Sequence, residues 1–425
     1  MAGQDLSAHA KLVSKIGIMD CCCKKNREHW LTGSVETPAG KVPEIGTRLM
    51  LHDELGALKV RFAIGRMKYT IPPGLYAVGA PTPESPVFVT ANYKLTFDYL
   101  RRELGGIDGW ILVLDTKGIN VWCAAGKGTF STDEIVKRVE ETEIFRVVSH
   151  NKLIVPQLGA PGVSAQEVQK RCGFQVIYGP VRAEDIPAFL SANFKTTPEM
   201  RRVRFGMRDR IAVIPVELVI WFKQALGLAV LLTLFDAISC TGFSFAAAPR
   251  AFGLVFTGWL TGGVLVPILL PWLPGRAFSI ADRYCIVHGA QLHRDLHLHL
   301  DVWCKKGNEI CHSASTIGTA CRNNLHRAWR PAMNYLKNVA TLKLDVETCI
   351  GCGQCIEVCP HDVFTLENGK ARIADLDACM ECGACAKNCP IQALRVKTGV
   401  GCASGILSGI LRGGDACCGE GGCCG

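Results

Sequence analysis

The run Cys349-Ile350-Gly351-Cys352-Gly353-Gln354-Cys355-Ile356-Glu357-Val358-Cys359-Pro360 constrains this chain more than any other feature, because it occurs twice. The second copy is Cys379-Met380-Glu381-Cys382-Gly383-Ala384-Cys385-Ala386-Lys387-Asn388-Cys389-Pro390. In a Cys-x2-Cys-x2-Cys-x3-Cys-Pro run, three thiolates wrap one iron–sulfur cube and the fourth crosses to the other. The spacing assigns Cys349, Cys352, Cys355 and Cys389 to one [4Fe–4S] cluster, and Cys379, Cys382, Cys385 and Cys359 to a second. Zinc is the competing use of such cysteines, and the doubled spacing argues against it. A segment of this kind transfers electrons.

Each run is that of a bacterial two-cluster ferredoxin, which sets residues 336–400 apart as a small α+β module. The chain holds 23 cysteines in 425 residues, clustered rather than scattered, which indicates metal centres in a reducing compartment. Its length predicts two to four domains. The net charge of +9 is concentrated in one arginine-rich run, and no basic patch is interleaved with aromatics, which argues against nucleic-acid binding. The expected divisions are an N-terminal tail (1–45), an α/β domain (46–200), an apolar region (211–280), a linker (281–335), the cluster module (336–400) and a cysteine-rich tail (401–425).

From about Gly46 to Pro187, short apolar runs alternate with helical patterns. Val87–Ala91, Trp110–Leu114, Leu153–Val155 and Gln175–Tyr178 read as strands. Helices are expected at Leu95–Leu104, after a Ser131 or Thr132 cap, and at Ser164–Arg171. This order predicts a doubly wound, Rossmann-like parallel sheet, whose ligands bind at the carboxyl ends of strands. Thr90, Asn120–Gly128, the loop Gly159-Ala160-Pro161-Gly162 and Gly179-Pro180 fall at or just beyond such ends.

Within this domain, Asn120-Val121-Trp122-Cys123-Ala124-Ala125-Gly126-Lys127-Gly128 places one cysteine between a flat aromatic and very small side chains. A thiolate is a soft ligand for a transition metal, and small neighbours leave room for something broad and planar. Gly126-Lys127 does not complete a phosphate loop, because Val121 and Gly128 stand where glycine and Ser or Thr are required. A buried structural cysteine is the other reading. A nucleophilic cysteine would want a base nearby, and none is local.

Ile214–Phe235 and Ala251–Leu273 are each long enough to span a bilayer, since apolar stretches of about twenty residues are unusual in soluble cores. Glu217 and Lys223 interrupt the first, a central lysine costing roughly 2.5–3.5 kcal/mol on insertion scales. The alternative is a pair of buried helices. Arg201, Arg202, Arg204, Arg208 and Arg210 put the preceding domain on the cytoplasmic side, and a hairpin returns the rest there. Residues 281–335 sustain no period and read as a linker or a fusion joint; His297-Leu298-His299 matches no zinc spacing. Cys402, Cys417-Cys418 and Cys423-Cys424, on a glycine-rich tail, suit capture of a thiophilic ion and its passage between thiolates, unless the tail is inert. Cys21-Cys22-Cys23 could act similarly.

The Asn120–Gly128 stretch resembles the cap-helix motif of the mercury-methylating corrinoid protein family HgcA, itself related to the large subunit of the corrinoid iron–sulfur protein of the acetyl-CoA pathway. Val89-Thr90-Ala91-Asn92-Tyr93-Lys94-Leu95 and Pro271–Ser279 also resemble that family. The part from about Lys337, with its tail cysteine pairs, is similar to the partner ferredoxin HgcB. The family has five membrane spans and a separate ferredoxin chain, whereas two candidate spans and a fused module occur here. An even number of spans keeps both modules on one side of the membrane.

The resemblance implies a corrinoid with its own base displaced, Cys123 as lower cobalt ligand, and methyl transfer to Hg(II). Thr90, Asn120, Val121, Trp122, Ala124, Ala125, Gly126, Lys127, Gly128, Gly159 and Pro161 would contact the corrinoid. A methyltetrahydrofolate-type donor acting through another protein would supply the methyl group. The clusters, fed by an upstream electron donor, would return oxidised cobalt to its reduced state. The tail cysteines would deliver mercury at the cytoplasmic membrane. The competing functions are a methyl carrier of the acetyl-CoA pathway and a redox-linked protein that binds soft metals.

Overall fold

The computed structural model describes residues 28–204, 206–239, 242–243, 248–269 and 340–398. Cys21–Cys23, Pro271–Ser279, residues 281–335 and the tail cysteines Cys402, Cys417, Cys418, Cys423 and Cys424, each singled out above, lie outside them.

A hairpin opens the first domain: β1 (Leu31–Thr37) pairs antiparallel with β2 (Gly40–Ile45). Gly40 takes φ +110° at the turn, a conformation open to glycine at little cost. The sheet thus begins before residue 46. α1 (Leu51–Arg61) leads to β3 (Gly74–Val78), β4 (Val87–Ala91), α2 (Lys94–Glu103) and β5 (Gly109–Leu114). Then come α3 (Val121–Gly126), α4 (Thr132–Thr142), β6 (Lys152–Pro156), α5 (Ala165–Cys172), β7 (Gln175–Gly179) and α6 (Ile186–Ser191).

The strand order is β1-β2-β3-β5-β4-β6-β7. Strands β5, β4, β6 and β7 are mutually parallel, as the alternation of strands and helices predicts. The expectation of a wholly parallel, doubly wound sheet is corrected on the other side. β3 runs antiparallel to β5, with Leu75 opposite Leu112, and the β1–β2 hairpin extends that edge. All but the first residue of β3 is buried, and apolarity reports burial without reporting direction.

Side-chain alternation divides the core into two layers. Val89, Leu112 and Leu153 pack with Val121, Ile135 and Val168 from α3, α4 and α5. Phe88, Ile111 and Ile154 pack with Phe97 of α2 and Ile186 and Phe189 of α6 on the other face. α3, α4 and α5 each open where a side chain satisfies a free amide of the first turn: Asn120, Ser131 and Ser164 accept from Cys123, Glu134 and Glu167 respectively.

α7 (Met207–Ala237) contains the first expected span, and α8 (Ala248–Leu260), extended through a π-helical turn to Leu269, covers the second up to that residue, 270–273 lying outside the described residues. Both are long and apolar enough to cross a membrane, and few of their residues are buried within the protein. Phe222 packs against Phe256 and Trp259, with ring centroids 6.4 and 5.7 Å apart, which pairs the helices as a hairpin. Glu217 and Lys223 are exposed.

The last module is a doubled unit. β8 (Lys343–Leu344) pairs with β11 (Leu394–Arg395), enclosing α9 (Gln354–Val358), the hairpin β9 (Phe364–Glu367) and β10 (Lys370–Ile373), and α10 (Ala384–Lys387). Both short helices start after a left-handed glycine, Gly353 at φ +77° and Gly383 at φ +78°. The sequence repeat is therefore a structural repeat.

Candidate functional site

The carboxyl ends of β4, β5 and β6 carry the loops that build the site. Asn92, just past β4, turns its side-chain oxygen to the loop after β5, accepting from Thr116 N (3.1 Å), Thr116 Oγ1 (2.8 Å) and Gly118 N (3.0 Å). Its Nδ2 donates to Asp115 Oδ1 at 3.2 Å. Burial works to raise the Asp115 pKa, and the Lys117 ammonium at 2.7 Å with the Lys117 amide outweighs it, so the carboxyl lies below its usual range. A pinned loop delivers the chain to Asn120, whose Oδ1 accepts from Cys123 N at 2.9 Å.

On α3, Val121, Ala124 and Ala125 turn into the core, while Cys123 is half-buried and Trp122 is 46% exposed. Gly126 and Gly128 are exposed, and a Cβ at either would meet nothing within 4 Å. Lys127 is half-buried, its amide donating to Cys123 O at 3.0 Å. The outer face of this helix therefore offers a thiol, an indole and bare backbone side by side.

Gly159 and Gly162 act behind the helix. A Cβ on Gly159 would press on the Phe130 ring, and one on Gly162 would run into the Phe130 carbonyl and come within 3.0 Å of Ala125 Cα. Pro161 between them is half-buried. Gly159 is thus a packing residue beneath the helix. Thr90 lies within β4 opposite Val113 and is 2% exposed.

Sequence reading missed Gln157, in the turn after β6. It is 1% exposed, yet neither polar atom of its side chain has a partner among the described residues. An unpaired buried amide costs about 1–3 kcal/mol per group. A broad ligand rimmed with amides, as a corrinoid is, could complete it. The donor set, the open backbone and the exposed indole fit such a ligand.

The cluster cysteines separate into two cavities. One is lined by Cys349, Cys352, Cys355 and Cys389; the other by Cys359, Cys379, Cys382 and Cys385. In each cavity three cysteines come from one run and the fourth from the other. Burial, then the neighbouring Cys352, pushes the Cys355 thiol up to about 11. Burial likewise pushes Cys359 up to about 11 and raises Cys379, Cys382 and Cys385. Crowded thiols resist ionisation until a metal supplies positive charge, so the residues fit cubane clusters. Ala371, Glu381 and Ala393 already donate amide hydrogen bonds to Cys349, Cys379 and Cys389 sulfurs, at 3.4, 3.4 and 3.2 Å.

Residues 61–190 match the family described as CO dehydrogenase/acetyl-CoA synthase delta subunit (CdhD), and residues 341–390 match a 4Fe-4S dicluster domain. The sheet domain resembles CdhD-type corrinoid iron–sulfur proteins. Among curated relatives of the CdhD-like part is the acetyl-CoA decarbonylase/synthase complex subunit gamma of Archaeoglobus fulgidus, 34% identical over 148 residues, covering 34% of this chain and 31% of the relative. The subunit gamma of Methanopyrus kandleri is 34% identical over 122 residues, covering 28% and 26% respectively. The corrinoid/iron-sulfur protein large subunit of Moorella thermoacetica is 32% identical over 121 residues, covering 28% and 27%. The chain thus spans less than a third of each of these relatives. The CdhD-like likeness implies a corrinoid, and the dicluster match implies two 4Fe–4S clusters.

Proposed function

We propose that this chain is a methyl-carrying corrinoid protein that contains its own two-cluster reductant. One observation carries the reading: the Cys123 helix of a CdhD-like domain and two four-cysteine cavities occur in a single chain, on two modules that touch at Ala165 and Asn388.

A bound corrinoid supplies a cobalt that takes up and releases a methyl group, and each cluster supplies a one-electron couple. The Cys123 sulfur would hold the corrinoid's metal, and as a soft, strongly donating ligand it would favour release of a bound methyl group. Trp122 would cover the ring edge, while Gly126 and Gly128 let it approach the backbone. Thr90, at the carboxyl end of β4, would support the corrinoid site. Asn92 and Asn120 fix the direction of the Cys123 Cα–Cβ bond through the loop and the helix start. An upstream donor feeds the clusters, and a methyltetrahydrofolate-type donor acts through another protein.

The likeness to subunits of acetyl-CoA complexes favours an acceptor in acetyl-CoA assembly. A second reading is transfer to Hg(II), favoured by the thiol on the cap helix and by the exposed apolar hairpin. In that reading the chain resembles HgcA joined to HgcB, sits on the cytoplasmic face of the inner membrane, and receives mercury through Cys402, Cys417, Cys418, Cys423 and Cys424.

Anaerobic loading of the full chain tests both. We expect a bound, base-displaced corrinoid spectrum that changes in Cys123→Ala. Absence of corrinoid binding sinks both readings and leaves a soft-metal-binding protein. The methylated form is then offered Hg(II) or an acetyl-CoA synthase: methylmercury supports the second reading, acetyl-CoA the first.

A further inference from the structure

One side chain makes four polar contacts across the junction between the two modules. Asn388, immediately before Cys389, is 0% exposed. Its Oδ1 accepts from Ala165 N at 3.0 Å and from Tyr178 Oη at 2.9 Å. Its Nδ2 donates to Val163 O at 3.1 Å, Ala160 O at 3.3 Å and Ala384 O at 3.0 Å. The Asn388 carbonyl accepts from Gln166 Nε2 at 3.0 Å, and Lys387 Nζ donates to Gly162 O at 3.2 Å. An amide side chain has two donors and one doubly accepting oxygen, so nothing in this one is left over. Of its five partners, only Ala384 belongs to the cluster module.

The segment it grips, residues 160–165, includes Gly162, which fits beneath Ala125 of the Cys123 helix. Gly162 O also accepts from Thr132 N at 3.3 Å. A single chain of packed groups therefore runs from the ligand of one cluster cavity, Cys389, through Asn388 and Gly162, to the helix that carries Cys123. Undocking would expose the amide, or leave it buried without partners at a cost of about 1–3 kcal/mol per group.

We infer that Asn388 is a docking residue that holds the two-cluster module against the loop behind the Cys123 helix, so that electrons reach the Cys123 site within one chain. The identity of the electron acceptor rests on the proposed function; the docking does not. The step moves one electron: a reduced cluster is oxidised by one, the acceptor is reduced by one, and no bond of Asn388 changes. A low-potential external reductant recharges the clusters. Asn388 is a positioning residue, with Tyr178 as its partner across the junction.

The test uses the full chain with its clusters rebuilt. Without corrinoid, amide exchange across 160–166 should be slow in the wild type and at least tenfold faster in Asn388→Ala and Tyr178→Phe. Tyr178→Phe keeps the ring and lies far in sequence from every cluster ligand, so it decides the matter if Asn388→Ala fails to hold clusters. Cluster electron-spin-resonance signals should stay unchanged in Tyr178→Phe. With corrinoid loaded, the clusters reduced beforehand and the reductant removed, the reduction rate should be independent of chain concentration in the wild type and at least tenfold lower in the variants. Unchanged exchange in both variants overturns the docking role. A wild-type rate rising in proportion to chain concentration overturns transfer within the chain. Failure to bind corrinoid removes the functional reading, and the exchange result still decides the docking.

Discussion

Asn92 and Thr116 are joined twice, the Asn92 side-chain oxygen accepting from the Thr116 amide at 3.1 Å and from its hydroxyl at 2.8 Å. Both residues are buried, and they tie the end of β4 to the loop that delivers Cys123. Asn92→Ala leaves the amides of Thr116 and Gly118 without that acceptor, a loss of roughly 2–4 kcal/mol for two buried donors. Chemical denaturation should register the loss. Amide exchange at 116–126 should rise more than elsewhere in the sheet domain, and uniform loosening would show that the pair has no special hold on the helix.

Asp53 anchors the opposite layer. Its carboxylate accepts from Lys94 Nζ at 2.7 Å, Arg101 Nη2 at 2.8 Å and Met50 N at 3.0 Å, with His29 Nε2 at 2.6 Å. Burial works to raise its pKa, but the Lys94, Met50 and His29 hydrogen bonds outweigh it and hold the carboxyl well below the ordinary 3.8. Its contribution is therefore present above 3.8 and lost as pH falls below that value. Asp53→Ala should cost about 3 kcal/mol, because Lys94 and Arg101, both buried, lose one of their two carboxylate partners and keep only Asp98. The stability difference between wild type and Asp53→Asn should shrink as pH drops below 3.8, measured by urea unfolding.

The cluster cavities predict the reverse pH trend in a cluster-free chain. Cys355 and Cys359 titrate near 11 when folded against an ordinary value of 9.0. Their neutral forms support folding below 9.0, and that support disappears as pH rises through about 11. Circular dichroism melts of the cluster-free chain should fall across this window, while the loaded chain should not follow. Cys389→Ser should lower bound iron by about half, since only one cavity loses a ligand.

Gly162→Ala tests the packing beneath the Cys123 helix. The added methyl meets the Phe130 carbonyl and lies 3.0 Å from Ala125 Cα, so overpacking should cost about 1–3 kcal/mol. Gly126→Ala, whose methyl would enter open space, should leave the melting of the unloaded chain almost unchanged. Equal effects from the two would contradict this packing.

The cluster module was legible because cysteine spacing is a direct record of which sulfurs can reach one cluster, and the cavities divide the cysteines as the spacing does. Strands β4 to β7 were legible as buried apolar runs. The β1–β2 hairpin was not: Thr32, Gly33, Ser34 and Glu36 are exposed and β2 contains Pro43, so no apolar alternation announces an edge pair. The motif around Cys123 could be read, but its supports could not. Asn92 acts on a loop more than twenty residues away, and Asn388 meets Tyr178 across 210 residues. Gln157 looks ordinary in sequence, and only its burial without partners marks it. Local pattern carries no signal for such long-range contacts.

The two cavities are unequally sheltered: Cys352 is exposed and the adjoining Ile350 is 62% exposed, whereas Cys379 and Cys385 are buried. Air or a chelator should therefore strip iron from the Cys352 side first and spare the inner cube for longer. A partly damaged molecule would keep one intact cluster as a scaffold, and repair would require replacing only the outer cluster rather than refolding the module.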